Sequence, residues 1–88
     1  MNVTRQLFVL VLARRYQLTD HAMESMDDDG LTISDVLACL GGGRLRRAWP
    51  RQRKYEVEGR SLRGRTMRVV ARLPRPGLAR IITVYEVH

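Results

Sequence analysis

The chain has 88 residues and a net charge of +7, and all but one of its sixteen basic residues are arginine. A chain of this length forms one domain, burying roughly 60–65% of the surface its unfolded form would expose, and an apolar fraction of 44% excludes a disordered chain. A single cysteine, Cys39, excludes an internal disulfide, and the longest apolar run, Leu7–Ala13, is too short for a membrane span of about 20 residues.

The same run has one arginine before it and no small-residue cleavage site after it, so it makes a poor secretion signal. A cytoplasmic chain with Cys39 as a small buried apolar side chain is expected. Val3–Arg14 places Val3, Leu7, Leu10, Val11 and Arg14 on one helical stripe, widened by Phe8 and Leu12. "FVLVL" alone would also suit a strand, but the longer spacing favours a helix. Tyr16–Leu18 leads into Thr19, a suitable N-cap for a helix over about Asp20–Asp28 with Ala22, Met23 and Met26 inward and Gly30 as its stop. Thr32 caps the next helix, with Asp35 as a capping-box variant and Ile33, Val36, Leu37 and Leu40 inward. Gly41, Gly42 and Gly43 then end the helix and form a flexible joint.

Beyond the glycines the period falls to two. Arg44–Trp49 alternates loosely, and Pro50–Gln52 breaks it. Lys54–Glu58 sets Tyr55 and Val57 against three charged residues. Gly59–Gly64 is a turn, and Thr66–Leu73 alternates Met67, Val69, Ala71 and Leu73 with Arg68, Val70 and Arg72. Pro74–Gly77 is a second turn before a last strand over Ala79–Val87. Helices first and strands after predict an α+β fold: two or three N-terminal helices on one face of a roughly four-stranded antiparallel sheet.

The charge follows the same division. Residues 1–43 hold three arginines against six acids, and residues 44–88 hold thirteen cations against three acids, so the helical half is acidic and the sheet half basic. Lys54, Arg68, Arg72 and Arg80 fall, with Glu56, on the sheet face away from the helices. Such a face suits a partner rich in phosphate or carboxylate, because guanidinium grips phosphate in two places. The alternative is a solvated basic face. With one cysteine and two histidines no structural zinc site is expected, the "DDD" run is no calcium loop, and no phosphate-cradling loop or nucleophile elbow is present.

In order and spacing, "LTDHAMESMDDDGLTISDVLACLGGG" at Leu18–Gly43, "RKYEVEG" at Arg53–Gly59, "GRTMRVVARL" at Gly64–Leu73 and "ARIITVYE" at Ala79–Glu86 resemble domain-of-unknown-function family 4258. That family looks related in layout to the BrnT-type and RelE-like ribonuclease toxins, which pack helices on a curved antiparallel sheet, cleave RNA without metal and are silenced by antitoxins. The chain departs from the family pattern at Ser25 and Asp29, where the family has arginine. If those arginines touch the partner, part of the contact is lost here or the partner differs.

The resemblance implies an RNA-binding, toxin-like domain, either a metal-independent endoribonuclease without cofactor or a non-enzymatic basic module for nucleic acid or an acidic, antitoxin-like protein. A homodimer joined through edge strands is a third alternative. RNA cleavage needs a proton acceptor, a proton donor and cations around the phosphorane. His21, Arg68 and Tyr85 are the candidate catalytic residues, and Lys54, Arg60, Arg65, Arg72 and Arg80 the candidate nucleic-acid contacts. His21 also has a structural reading, as a neutral imidazole at a helix start bonding across to the sheet. Tyr55 is a further proton carrier or stacking residue, or an ordinary edge or core aromatic. All of this expects the C-terminal guanidinium groups to converge on one exposed side of the sheet.

Overall fold

In a computed structural model, which describes residues 2–88, the Asn2 side chain accepts the Arg5 amide at 2.8 Å and starts α1 (Val3–Leu12). Leu7 and Val11 are its buried residues, one turn apart, while Leu12 is 59% exposed, so the stripe is narrower than its composition suggests. Arg14, in the left-handed region at φ 62°, turns the chain into β1 (Tyr16–Leu18). Thr19 accepts the Ala22 amide and begins α2 (Asp20–Asp29), and Gly30 at φ 64° ends it. Ala22 and Met26 are buried; Met23 is 45% exposed and does not join the inward stripe. Thr32 and Asp35 form the full capping box of α3 (Ile33–Gly42).

The triple glycine does not make a flexible joint. Gly41 and Gly42 are helical, and Gly43 is an extended cap. The reason is close packing: a Cβ on Gly41 would lie 3.1 Å from the Phe8 ring, and one on Gly59 would lie 2.5 Å from the Cys39 carbonyl oxygen. Small residues at these places let α3 rest directly on α1 and on the sheet.

The remaining strands are β2 (Arg44–Trp49), β3 (Lys54–Arg60), β4 (Thr66–Arg75) and β5 (Leu78–Glu86). They form an antiparallel meander, as the alternation predicts, but the sheet has five strands in the order β1-β5-β4-β3-β2 and is mixed. The fifth strand is β1, which pairs parallel to β5 with Tyr16 beside Ala79 and Leu18 beside Ile81. Three residues are too few to show a period of two, so its sequence carries no strand signal. The acidic half of the chain therefore contributes to the sheet as well as the helices.

Met67, Val69, Ala71 and Leu73 line the buried face as expected, with Val57, Ile81 and Val84 beside them and all three helices over them. Cys39 is fully buried, and burial, reinforced by the Glu58 charge, pushes its thiol up to about 12, so it is an inert core residue.

β1 ends at Leu18, and α2 takes over the exposed edge of β5. The Thr19 amide donates to the Ile81 carbonyl at 3.0 Å and its hydroxyl to the Ile82 carbonyl at 2.9 Å. Further along, the Val84 amide donates to Ser25 Oγ at 3.2 Å and the Glu86 amide to Asp29 Oδ2 at 2.8 Å. Ser25 and Asp29 thus satisfy backbone groups that an open edge leaves bare. Asp29→Arg should cost about 1–3 kcal/mol in denaturant unfolding, since the Glu86 amide loses its acceptor.

Asp35 reaches beyond its own helix. Its buried carboxylate accepts the Thr32 amide and hydroxyl on one oxygen and the Leu62 amide, at 3.0 Å, on the other, tying α3 to the β3–β4 turn. Burial alone would raise this carboxyl, but these hydrogen bonds and the Arg63 charge outweigh it and hold the group below the usual carboxylate range. A carboxyl lowered on folding stabilises fully above its unfolded-state value, and that stability drains away as pH falls through the folded value. Asp35→Asn should therefore cost about 1–3 kcal/mol at neutral pH, and urea unfolding should show the gap to wild type narrowing from about pH 4 downward.

Candidate nucleic-acid interface

The pleat sorts residues by parity, and cross-strand register then assembles them into rows. One row crosses all five strands on the face away from the helices. Trp49 pairs with Lys54, Lys54 with Arg72, Arg72 with Arg80, and Arg80 with Gln17. Lys54, Arg72 and Arg80 stand on adjacent strands, about 4.8 Å apart at the backbone. Among the described residues no carboxylate forms an ion pair with any of them. Their neighbours orient them without neutralising them. Lys54 Nζ and the Arg47 guanidinium lie 4.6 and 5.5 Å from the Trp49 ring, Arg72 Nε donates to the Gln52 carbonyl, and Arg80 reaches Gln17 Oε1 at 3.5 Å. Like charges directly opposite across strands destabilise a sheet, so this row carries a repulsion that no ion pair among the described residues offsets.

The middle of the same face is different. Arg46 Nη1 lies 2.6 Å from Glu56 Oε2, the Tyr85 hydroxyl donates to Glu56 Oε1 at 3.4 Å, and Arg68 Nη1 donates to the Tyr85 oxygen at 3.3 Å. Arg68 Nε also holds Glu58 Oε1 at 2.9 Å, and Arg46 Nε approaches that same oxygen at 4.0 Å. Two arginines, two glutamates and one tyrosine close a ring of alternating charge. Register places Glu58, Arg68 and Tyr85 in one row. Arg46 enters because a bulge between Leu45 and Arg47 inserts it opposite the glutamates. The Glu56 side chain is only 7% exposed, and Tyr85 and then Glu58 hold the Arg68 guanidinium above its ordinary value, so it stays charged.

Lys54, Arg72, Arg80, Arg68 and Tyr85 therefore share one face, and Arg68 and Tyr85 touch. The other expected residues do not join them. Arg60 lies at the opposite end of β3, about 20 Å from Lys54 along the strand, and donates to the Gly64 carbonyl at 3.0 Å within the turn. Arg65 is committed to Glu86 at 3.0 Å and borders the cleft that holds Asp29 and Asp35. Convergence of the guanidinium groups is thus partial, because turn arginines follow the turn and not the pleat. Tyr55 falls on the helix side and packs against the core.

His21 is exposed on α2, with no hydrogen bond to the described residues. It does not bond across to the sheet; Thr19, Ser25 and Asp29 make those links. Eight residues, about 12 Å of helix, separate it from Asp29, which holds the residue next to Tyr85. It makes no hydrogen bond to the Arg68–Tyr85 pair. Trp49 is the residue that sequence reasoning passed over. The signal was the hairpin around Pro50–Arg53, whose closure sets Trp49 opposite Lys54.

No group of three or more His, Cys, Asp or Glu able to hold a metal ion occurs among the described residues, and none of the helices is long and apolar enough to cross a membrane. A family model described as a domain of unknown function (DUF4258) matches residues 18–86. No curated protein and no solved structure matches.

The charge ring makes a graded stability prediction. Glu56→Ala removes the buried carboxylate that accepts from the Tyr85 hydroxyl and from Arg46, whose side chain is 40% exposed, and should cost about 1–2 kcal/mol. Glu58 is 32% exposed, and Glu58→Ala should cost less than about 1 kcal/mol. Urea unfolding of the two variants side by side checks the order.

Proposed function

We propose that this chain, which belongs to the DUF4258 family, is an RNA-binding, toxin-like domain that takes the phosphate backbone on its open sheet face. The observation that carries the reading is the row of Lys54, Arg72 and Arg80 on three neighbouring strands, to which no carboxylate among the described residues is paired. A polyanion removes the like-charge repulsion that the fold leaves standing, and bound counterions are released as it does so. Helices on one face and a basic, mainly antiparallel sheet on the other support kinship in layout with BrnT-type and RelE-like toxins.

A metal-independent endoribonuclease is the second reading, favoured by the Tyr85 hydroxyl between Glu56 and Arg68. In it Tyr85 takes the proton of a ribose 2′-hydroxyl while passing its own to Glu56. The 2′-oxygen attacks phosphorus, the bond to the 5′-oxygen breaks, and water protonates the departing oxygen. Arg68 stabilises the phosphorane charge. His21 has no part in this scheme.

Filter binding of a single-stranded RNA across a salt series tests the first reading. Each of Lys54→Ala, Arg72→Ala and Arg80→Ala should weaken binding and lower the salt slope by about 0.7, while Arg5→Ala on α1 leaves both unchanged. Affinity that ignores salt or all three changes overturns it. Incubation of the same RNA with chelator, followed on a denaturing gel, separates the readings: cleavage lost in Tyr85→Phe with binding retained supports the enzyme, and intact RNA with wild-type protein supports the binder.

A further inference from the structure

The sheet ends differently on its two sides. On one side β1 and the Thr19, Ser25 and Asp29 side chains occupy the edge of β5. On the other, the outward backbone groups of β2 bond to nothing among the described residues, since its only ladder is with β3. Five of its six residues are exposed. Beside this edge a cleft of about 650 Å³ lies between the start of α1, the end of α3 and β2. Phe8, Leu40 and Leu45 line it, together with Arg5 and Arg44. Register gives β2 two characters, with Arg44 and Arg47 toward the open sheet face and Leu45 and Ala48 toward the helices and the cleft.

We infer that β2 receives an extended peptide strand in which acidic and apolar residues alternate. Its backbone continues the sheet. Its apolar side chains fall beside Leu45, which is 44% exposed, and into the cleft, while its carboxylates lie along Arg44 and Arg47. A second copy of this chain is the poorer occupant, because self-pairing would set Arg44, Arg46 and Arg47 against the same three residues. Arginines on an edge strand discourage self-pairing, and here the same charges attract an acidic strand. This interface uses the β2 edge and the cleft, so it stands whether or not the Lys54–Arg72–Arg80 row binds RNA.

The test is an amide-resolved NMR titration of the full chain with two synthetic peptides of one composition. One alternates Glu or Asp with Val or Leu; the other groups its acids and its apolar residues in two blocks. The alternating peptide should shift the Arg44–Trp49 amides and slow their hydrogen exchange by about tenfold or more. Leu45→Arg and, independently, Arg47→Glu should each weaken it by about tenfold, with folded spectra confirming both variants. Arg72→Ala should leave it unchanged. Equal binding of the block peptide, or shifts confined to the Lys54–Arg72–Arg80 row, overturns the proposal. So does protection of β2 that grows with protein concentration in the absence of peptide, which would make a second copy the occupant.

Discussion

A single sheet and three ten-residue helices leave only one sheet face that can be covered. Everything else in the molecule depends on that constraint. The apolar positions of β3 and β4 share one parity, and an irregularity in β5 between Ile81 and Thr83 brings Ala79, Ile81 and Val84 to the same side, so they meet α1, α2 and α3 together and most charged positions are left on the far face. The close packing at Gly41 and Gly59 belongs to the same constraint. With so little core, the helices gain from lying as near to one another and to the sheet as backbone contact allows.

The exposed surface is divided electrostatically. Near the middle, Arg46, Glu56, Tyr85, Arg68 and Glu58 neutralise one another in a closed ring. Toward the β2–β3 turn the ring gives way to Lys54, Arg72 and Arg80, about 13 Å from Arg68 when measured along β4 to Arg72. The ring has low net charge and is partly buried, which suits it to holding groups in fixed relation. The row has uncompensated charge and solvent access, which suits it to attracting an anion. One surface thus carries free positive charge at one place and a fixed set of polar groups at another.

The two sheet edges carry the same lesson in backbone groups. A strand edge is either satisfied or available. The β5 edge is satisfied by a short parallel strand and by three polar side chains from the α2 segment, so Thr19, Ser25 and Asp29 close that side of the sheet. The β2 edge is available, and the asymmetry gives the domain one side from which it can grow.

The sequence by itself determined the elements and the parity of their faces. Thr19 and Thr32 as caps, Gly30 as a stop, the Thr32–Asp35 box and the Met67–Leu73 alternation are local, and local hydrogen bonding and the two periods carry them. So is the charge division that sends Lys54, Arg68, Arg72 and Arg80 to one face. Only the tertiary structure decided which of those cations are neutralised. The ring depends on a bulge at Arg46 and on strands up to 29 residues apart in sequence, as between Glu56 and Tyr85. The parallel seating of β1 and the use of Ser25 and Asp29 as edge acceptors are likewise long-range. No window of neighbouring residues contains the partner in any of these, because hydrogen bonds and ion pairs are set by distance in space, and the closure of the sheet is what sets that distance.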